Sequence, residues 1–341
     1  MPRKNRLPRH LLVIRTSAMG DVAMLPHALR AFREVYPDVK ITVATKALFH
    51  PFFEGLDVEF LDIDTKGAHH GIRGALRFAR EAADRGVDAV ADTHNVLRSK
   101  IIRMALWLRG LPAAAIRKGR MAKRRRLNGG VKSAAPLKHT VVRYCDVLRR
   151  LGFDFPDPSP ARKKSRPNPM GEKQGIWVGF APFSAQKGKT YPEALSEEAI
   201  RLLSERFDRV FIHGGGGAEA DFAHRMEGCL ANVTALNGKV RLGDEMNLIS
   251  NLDCVVTMDS LVMHMASLVA TPIVSVWGAT HPALGFLGYG FGPEGVLQLD
   301  MDCRPCSVYG KKPCKWGDYR CITGVTPQMI LDRVEKIVAE K

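Results

Sequence analysis

The sequence predicts an α/β chain made of two Rossmann-like parallel-sheet domains that face each other across a cleft. Three observations carry that expectation. Short apolar, β-branched runs alternate with longer stretches of helical period, the pattern of βαβ units. The alternation stops in a Pro-, Ser- and Lys-rich stretch at 155–169 and then restarts, which marks an interdomain linker. Finally, one segment in each half sits where a buried strand should end and a helix begin. These are Arg15-Thr-Ser-Ala-Met-Gly-Asp-Val-Ala-Met-Leu-Pro26 and Met258-Asp-Ser-Leu-Val-Met-His264. Open parallel sheets bind ligands at such edges, because loops converge there and helix N-termini offer unpaired N–H groups.

In the first half, strands are expected at Leu11–Ile14, Ile41–Ala44, Val58–Asp62, Ala89–Asp92 and Ala113–Ile116. Val22, Leu25, Leu29 and Phe32 repeat at helical spacing, with Pro26 early enough to be tolerated or to break off a first turn. Ser99–Leu108 and Val141–Leu151 are further helices. In the second half, strands are expected at Ile176–Phe180, Val210–His213, Val255–Met258 and Ile273–Trp277. Helices are expected at Glu193–Phe207, Ala218–Leu230, Glu245–Asn251 and Leu261–Val269, with a last one running from an N-cap at Thr326 to Glu340. The domains are therefore placed at 1–158 and 170–325, with a terminal helix at 326–341.

A chain of 341 residues suits two domains, and 45% hydrophobic with 25% charged residues is a soluble composition. No apolar run approaches the ~18 residues that span a bilayer. The basic N-terminus runs straight into a short apolar strand, which is not a signal peptide, so the cytoplasm is the expected compartment. The net charge of +16 is unevenly spread: between Thr93 and Cys145 there are fourteen Arg and Lys and no acid. Seven of these fall within 117–126. The run is either a solvated, mobile loop or a docking surface for a polyanion, and the absence of acids favours the second. It has no interleaved aromatics, so it is not a single-strand stacking platform.

Several segments carry the residue types of chemistry. Asp21 stands at the head of a helix after Gly20, either as an N-cap or as a general base toward an acceptor hydroxyl. The loop after the first strand of the second half offers Ser184, Lys187 and Lys189, and a lysine there suits a leaving diphosphate. It is not a Walker A loop. His213-Gly-Gly-Gly-Gly217, ahead of Glu219, permits close approach to the backbone. Asp259 caps and orients a turn, Ser260 and the following helix N-terminus can bind phosphate oxygens, and His264 lies one turn on. Asp62-Ile-Asp64 and Asp300-Met-Asp302 read as turn chemistry rather than a metal-binding DxD. Cys303, Cys306, Cys314 and Cys321 fall within nineteen residues and form either a structural zinc site or a set of free, oxidisable thiols. Cys145, Cys229 and Cys254 lie in apolar settings and are expected to be buried packing residues.

Arg15-x4-Gly20-Asp21 with Pro26, Lys189-Thr-Tyr-Pro-Glu193 and Asp259-Ser260-x3-His264-x-Ala266, in this order, resemble glycosyltransferase family 9, the heptosyltransferases of lipopolysaccharide core assembly. Asp92-x-His94-x3-Arg98-Ser99 and His139-x3-Arg143-Tyr144 match weaker family positions. The resemblance implies a GT-B fold, with an N-terminal acceptor domain, a C-terminal nucleotide-sugar domain and a final helix that crosses back. It implies inverting transfer of heptose or a related sugar from an ADP-sugar, without a catalytic metal or other cofactor. Asp21 would be the base. Ser184 and Lys189 would hold the diphosphate, assisted by Asp259, Ser260 and His264, with Glu219 at the nucleotide ribose. Arg15, Arg98, Arg120, Lys123 and Arg124 would face an anionic glycolipid acceptor, at the inner face of the cytoplasmic membrane and in peripheral contact with it. The chain departs from the family pattern at Leu261, where glycine is common, and that side chain crowds the diphosphate turn. A transferase for another nucleotide sugar is the nearest alternative, and a nucleic-acid-binding α/β protein using the 117–126 run is a more distant one; no nucleic-acid partner is expected.

Overall fold

A computed structural model describes residues 7–132 and 135–340. These divide into two compact units, Met1–Lys118 with Thr140–Ser159, and Gly119–His139 with Pro160–Lys341.

In the first unit, five strands pair in parallel: β1 His10–Ile14, β2 Lys40–Thr45, β3 Glu59–Asp62, β4 Ala89–Asp92 and β5 Ala113–Ala115. Their order is β3-β2-β1-β4-β5. Every residue of β1 is buried, because it has neighbours on both sides and helices cover the sheet. One face of the sheet packs on helices Gly71–Asp84 and Leu97–Trp107, through Phe78, Ile102 and Leu106. Pro26 does break off a first turn: Met19–Ala23 is one short helix, and Leu25–Val35 is the next, with Pro26 in its first turn.

In the second unit, six parallel strands run in the order β11-β10-β9-β6-β7-β8. They are β6 Trp177–Ala181, β7 Arg209–Ile212, β8 Val233–Ala235, β9 Cys254–Met258, β10 Ile273–Val276 and β11 Val296–Leu297. The last helix, Pro327–Ala339, is capped by Thr326, whose hydroxyl accepts from the Met329 amide at 3.2 Å. It packs on helix Glu193–Arg206 and strands β9 and β10, burying Ile330 and Val334 in this unit's core.

One expected boundary is corrected. The stretch 119–139 was assigned to the first domain, and it packs with the second. Its backbone is tied down where Asn128 and Gly129 donate to the Pro305 and Arg304 carbonyls at 2.8 and 3.0 Å, and Leu137 donates to Ala283 at 2.9 Å. Its basic run is not a loop, since Arg120–Arg125 is helical. The segment lacks apolar periodicity, and its anchors lie more than a hundred residues further on. Local pattern therefore could not place it.

Candidate functional site

In each sheet the strand order reverses at one point, and loops from the carboxyl ends of the two flanking strands converge there. In the first unit the reversal lies between β1 and β4. The loop after β1 carries Arg15 to Asp21, and the loop after β4 carries Thr93 to Asn95. Arg15 is almost wholly buried, donates to the Thr93 carbonyl at 2.7 Å, and ion-pairs with Asp21. Its guanidinium also lies over the Tyr144 ring, and the Tyr144 hydroxyl donates to the Asp21 carbonyl at 3.0 Å. Asp21 keeps 32% of its side chain exposed. A carboxylate fixed by a cation on one side and open to solvent on the other can accept a proton from a bound hydroxyl.

His94 completes this corner. Thr16 and Ser17 hydroxyls meet its two ring nitrogens at 3.1 and 3.3 Å. Burial, then the neighbouring Arg15 and Lys118 charges, push its pKa down to about 3, so the ring is neutral and bridges the two hydroxyls. Asp92 ends β4 by accepting from the His94 and Asn95 amides at 3.1 and 2.6 Å, and Asn95 takes the left-handed conformation this turn needs.

Two expectations change in this unit. Asp21 is not an N-cap: its helix begins at Met19 after Ala18, and Asp21 lies inside it. Arg15 does not present its charge to an acceptor, because that charge is spent on Asp21 and Thr93. Arg98 sits nearby in the chain and donates to the Thr65 carbonyl at 3.3 Å.

In the second unit the reversal lies between β6 and β9. The loop after β6 folds on itself: the Thr190 hydroxyl donates to the Ser184 carbonyl at 2.9 Å and accepts from the Ser184 amide at 3.2 Å. Lys187–Lys189 forms a single tight turn. That turn presses against the backbone after β10, where Ala279 donates to the Gly188 carbonyl at 2.8 Å, and a side chain on Gly188 would strike Ala279 and Gly310. Lys189 thereby brings its ammonium 3.3 Å from Asp259, which also accepts from the Thr280 hydroxyl at 3.0 Å. The buried Arg304 donates to the Gly278 and Thr280 carbonyls and fixes this loop from behind. The result is a lysine held at the mouth of two strand-to-helix turns, beside the helix Leu261–Val269 that starts after Ser260. Such a place suits a diphosphate.

Asp259 was expected to cap and orient the turn; instead it holds Lys189, and no side chain caps that helix. The carboxylate of Glu219 folds back to the Gly215 amide at 2.7 Å. His264 is buried in its helix, and Ser260 meets Thr257 at 3.3 Å. Leu261, the departure from the family pattern, is half-buried at the first turn. Of the expected acceptor set, Arg15 and Arg98 belong to the first unit and Arg120, Lys123 and Arg124 to the second. Lys123 is removed from the set: it is buried, with its ammonium 3.9 Å from the Phe286 ring centroid. Arg120 and Arg124 remain exposed.

Asp64 does turn chemistry as expected, accepting from the amides of residues 66, 67 and 68, and Asp62 pairs with His50 at 2.6 Å. Asp300 and Asp302 instead pair with Lys132 at 3.3 and 2.7 Å. None of the four clustered cysteines forms a disulfide. Among the described residues no group of three or more His, Cys, Asp or Glu is arranged to hold a metal ion, and both readings of the cluster, structural zinc or free thiols, stay open. Cys145 and Cys254 are buried as expected, whereas Cys229 is exposed at the end of its helix. Among the described residues no helix is long and apolar enough to cross a membrane.

Sequence reasoning missed Thr280 and Arg304, whose roles depend on contacts across 21 to 26 positions of chain. It quoted His94 only as a weaker motif position. The sole local signal for it was a histidine just past the end of a buried strand.

Comparison with known proteins places this geometry among relatives. The family model for glycosyltransferase family 9 (heptosyltransferase) matches residues 75–315. Lipopolysaccharide heptosyltransferase 1 of Pseudomonas aeruginosa is 28% identical over 165 residues, which is 44% of this chain and 44% of that relative, so the match spans less than half its length. Lipopolysaccharide core heptosyltransferase OpsX of Haemophilus influenzae is 20% identical over 290 residues, covering 83% of this chain and 82% of its own. The solved structure of E. coli ADP-heptose lipopolysaccharide heptosyltransferase II aligns with a TM-score of 0.70 at 18% identity, over 97% of this chain and 99% of that one. The two parallel-sheet units are those of the GT-B fold these enzymes share.

Proposed function

The chain belongs to glycosyltransferase family 9, and on that premise we propose that it transfers heptose from ADP-heptose to an anionic lipopolysaccharide-core acceptor. The observation that carries this is Asp21, partly open to solvent and clamped by Arg15 at the strand-order reversal of the first unit. In the proposed reaction an acceptor hydroxyl gives its proton to Asp21 as its oxygen attacks the anomeric carbon. The bond from that carbon to the diphosphate breaks, ADP leaves with the electron pair, and the configuration inverts. Lys189 stabilises the charge that builds on the departing diphosphate, with Ser184, Ser260 and the amides after Asp259 as further donors. Glu219 reaches the ribose only by releasing the Gly215 amide. His264 supports the phosphate turn from within its helix. No metal is needed for these steps.

The acceptor is read as a membrane glycolipid met at the inner face of the cytoplasmic membrane, contacted by Arg98, Arg120 and Arg124. Nucleic acid is not proposed, because the basic run has no interleaved aromatics to stack bases and its Lys123 is buried. The test is transfer in vitro with ADP-, UDP- and GDP-sugars, together with the mass of the core glycolipid from cells lacking the protein. Turnover with ADP-heptose and loss of one heptose are expected. A core of unchanged mass overturns the reading.

A structural zinc at Cys303, Cys306, Cys314 and Cys321 belongs to the same proposal. Four thiols within nineteen residues are a zinc donor set, and binding would draw them together. Purified protein should carry about one zinc per chain, and a chelator should lower its melting temperature while leaving the initial transfer rate nearly intact. Metal-free protein with four titratable thiols in this cluster counts against it.

A further inference from the structure

Helices Gly71–Asp84 and Leu97–Trp107 lie side by side in the first unit, with their inner faces on the sheet and an open groove along their outer faces. Leu97, Ile101, Met104 and Leu108 repeat at i, i+4, i+7 and i+11, so they form one stripe of the second helix. Leu97, Met104 and Leu108 of that stripe are exposed, and Ile101 is partly buried against the core. Leu108, 72% exposed, lines the groove with Met104 and Leu76, and Trp107, 56% exposed, stands beside it on the same helix, outside the groove lining. Isolated exposed apolar residues are ordinary, but a contiguous band on two adjacent helices marks a surface that meets something.

The charges beside the band say what it meets. Arg80, Lys100 and Arg109 line the same groove, and no acidic side chain does. Arg77 and Arg103, on the same two helices, are paired with Glu81 and Asp92 at 2.9 and 3.5 Å. Arg80, Lys100 and Arg109 have no ion pair among the described residues. An apolar strip with a tryptophan at its end and unneutralised cations beside it matches an anionic bilayer surface: the aliphatic groups and indole enter the headgroup boundary, and the cations stay with the phosphates. A second copy of the chain fits worse, because a two-fold contact through this face would oppose the same cations to one another.

We propose that the groove between Gly71–Asp84 and Leu97–Trp107 is a docking face for an anionic phospholipid membrane. The proposal deepens the functional reading and rests on it for the presence of a lipid acceptor. The helix carrying the stripe starts directly after the Thr93–Asn95 loop, so the face that docks and the corner that holds Asp21 belong to the same unit.

The experiment is flotation of the full-length protein with vesicles of equal parts phosphatidylglycerol and phosphatidylethanolamine, beside vesicles of phosphatidylcholine alone. Binding is expected only to the first, with a blue shift of tryptophan emission that is lost in Trp107→Ser. Removing two cations in Lys100→Gln/Arg109→Gln should weaken binding about 30-fold at low salt. Trp107→Ser/Leu108→Ser should weaken it about tenfold or more. Every substituted side chain is exposed, so melting temperatures and transfer to a delipidated, soluble acceptor should not change. Wild-type protein that turns over the soluble acceptor yet stays with the phosphatidylcholine control in its flotation overturns the docking face. So do variants that float like wild type, or serine variants that convert a dimer to a monomer in sedimentation. Protein that floats as described but transfers no heptose supports the docking face and removes the transfer reading instead.

Discussion

Arg15 and Asp21 form a pair that is useful only because it is lopsided. The guanidinium is buried and fixed by the Thr93 carbonyl and the Tyr144 ring, whereas the carboxylate keeps one edge in solvent. Burial of the cation therefore holds the carboxylate in place without covering it. Asp21→Asn keeps the volume and part of the contact to Arg15 but cannot take a proton. Transfer should fall about 10²- to 10⁴-fold, while ADP affinity, measured by calorimetry, stays within about twofold of wild type. Unchanged turnover would remove Asp21 as the base. His94 supplies a second test through pH. Its folded pKa, about 3, lies below the unfolded value, so between those values the unfolded chain binds more protons. The stability it contributes is complete above about pH 6.5 and is lost as pH falls toward 3. The slope is at most about 1.4 kcal/mol per pH unit. His94→Asn can still hydrogen-bond Thr16 and Ser17 but does not titrate, so its melting temperature should fall less steeply from pH 6.5 to 4. Parallel profiles would mean that the ring is not held neutral.

The turn Lys187–Lys189 shows how glycines position a charged side chain. Gly310 has φ +75°, and a side chain there would come within 2.6 Å of the Lys189 stem. Gly310→Ala should therefore cost about 1 kcal/mol in backbone strain alone and move the ammonium off Asp259. Lys189→Ala should weaken ADP binding about tenfold or more, as expected for loss of a charge-assisted contact. Gly310→Ala should reproduce part of that loss, and the double variant should bind no more weakly than Lys189→Ala. Additive losses would show that Gly310 does not act through Lys189. Elements of this kind could be read from the chain to different depths. Strands β1, β4, β6, β9 and β10 were expected within a residue or so of their bounds, because fully buried strands in parallel sheets are short, nearly continuous apolar runs. Strands β8 and β11, three and two residues long, were missed, although β5, also three residues, was expected. Asp21, Lys189, Asp259 and Ser260 could be found because each lies in the segment that follows the carboxyl end of a buried strand. The partner of Lys189 could not, because the ion pair joins residues 70 positions apart.

The path of the chain between its two units carries a consequence for stability. It leaves the first unit at 119, returns at 140 and leaves again at 160. The first unit is thus completed by helix Thr140–Arg149, which packs against Leu25–Val35, and the second borrows the segment 119–139. In that segment Lys123 lies buried against Phe286 and near Tyr309, and Lys132 pairs with Asp300 and Asp302. Asn128 and Gly129 hydrogen-bond the backbone around Arg304, the residue that braces the Lys189 loop. The exposed Lys132 pairs contribute little. The buried cation over an aromatic ring and the backbone hydrogen bonds together are worth on the order of 3 kcal/mol. A fragment of residues 160–341 should therefore melt about 10 °C below a fragment of residues 119–341 and bind ADP more weakly. Within the intact chain, Lys123→Met should lower the melting temperature by a few degrees without touching the Arg15–Asp21 corner. Equal melting of the two fragments would show that the basic segment merely rests on the second unit and does not stabilise it.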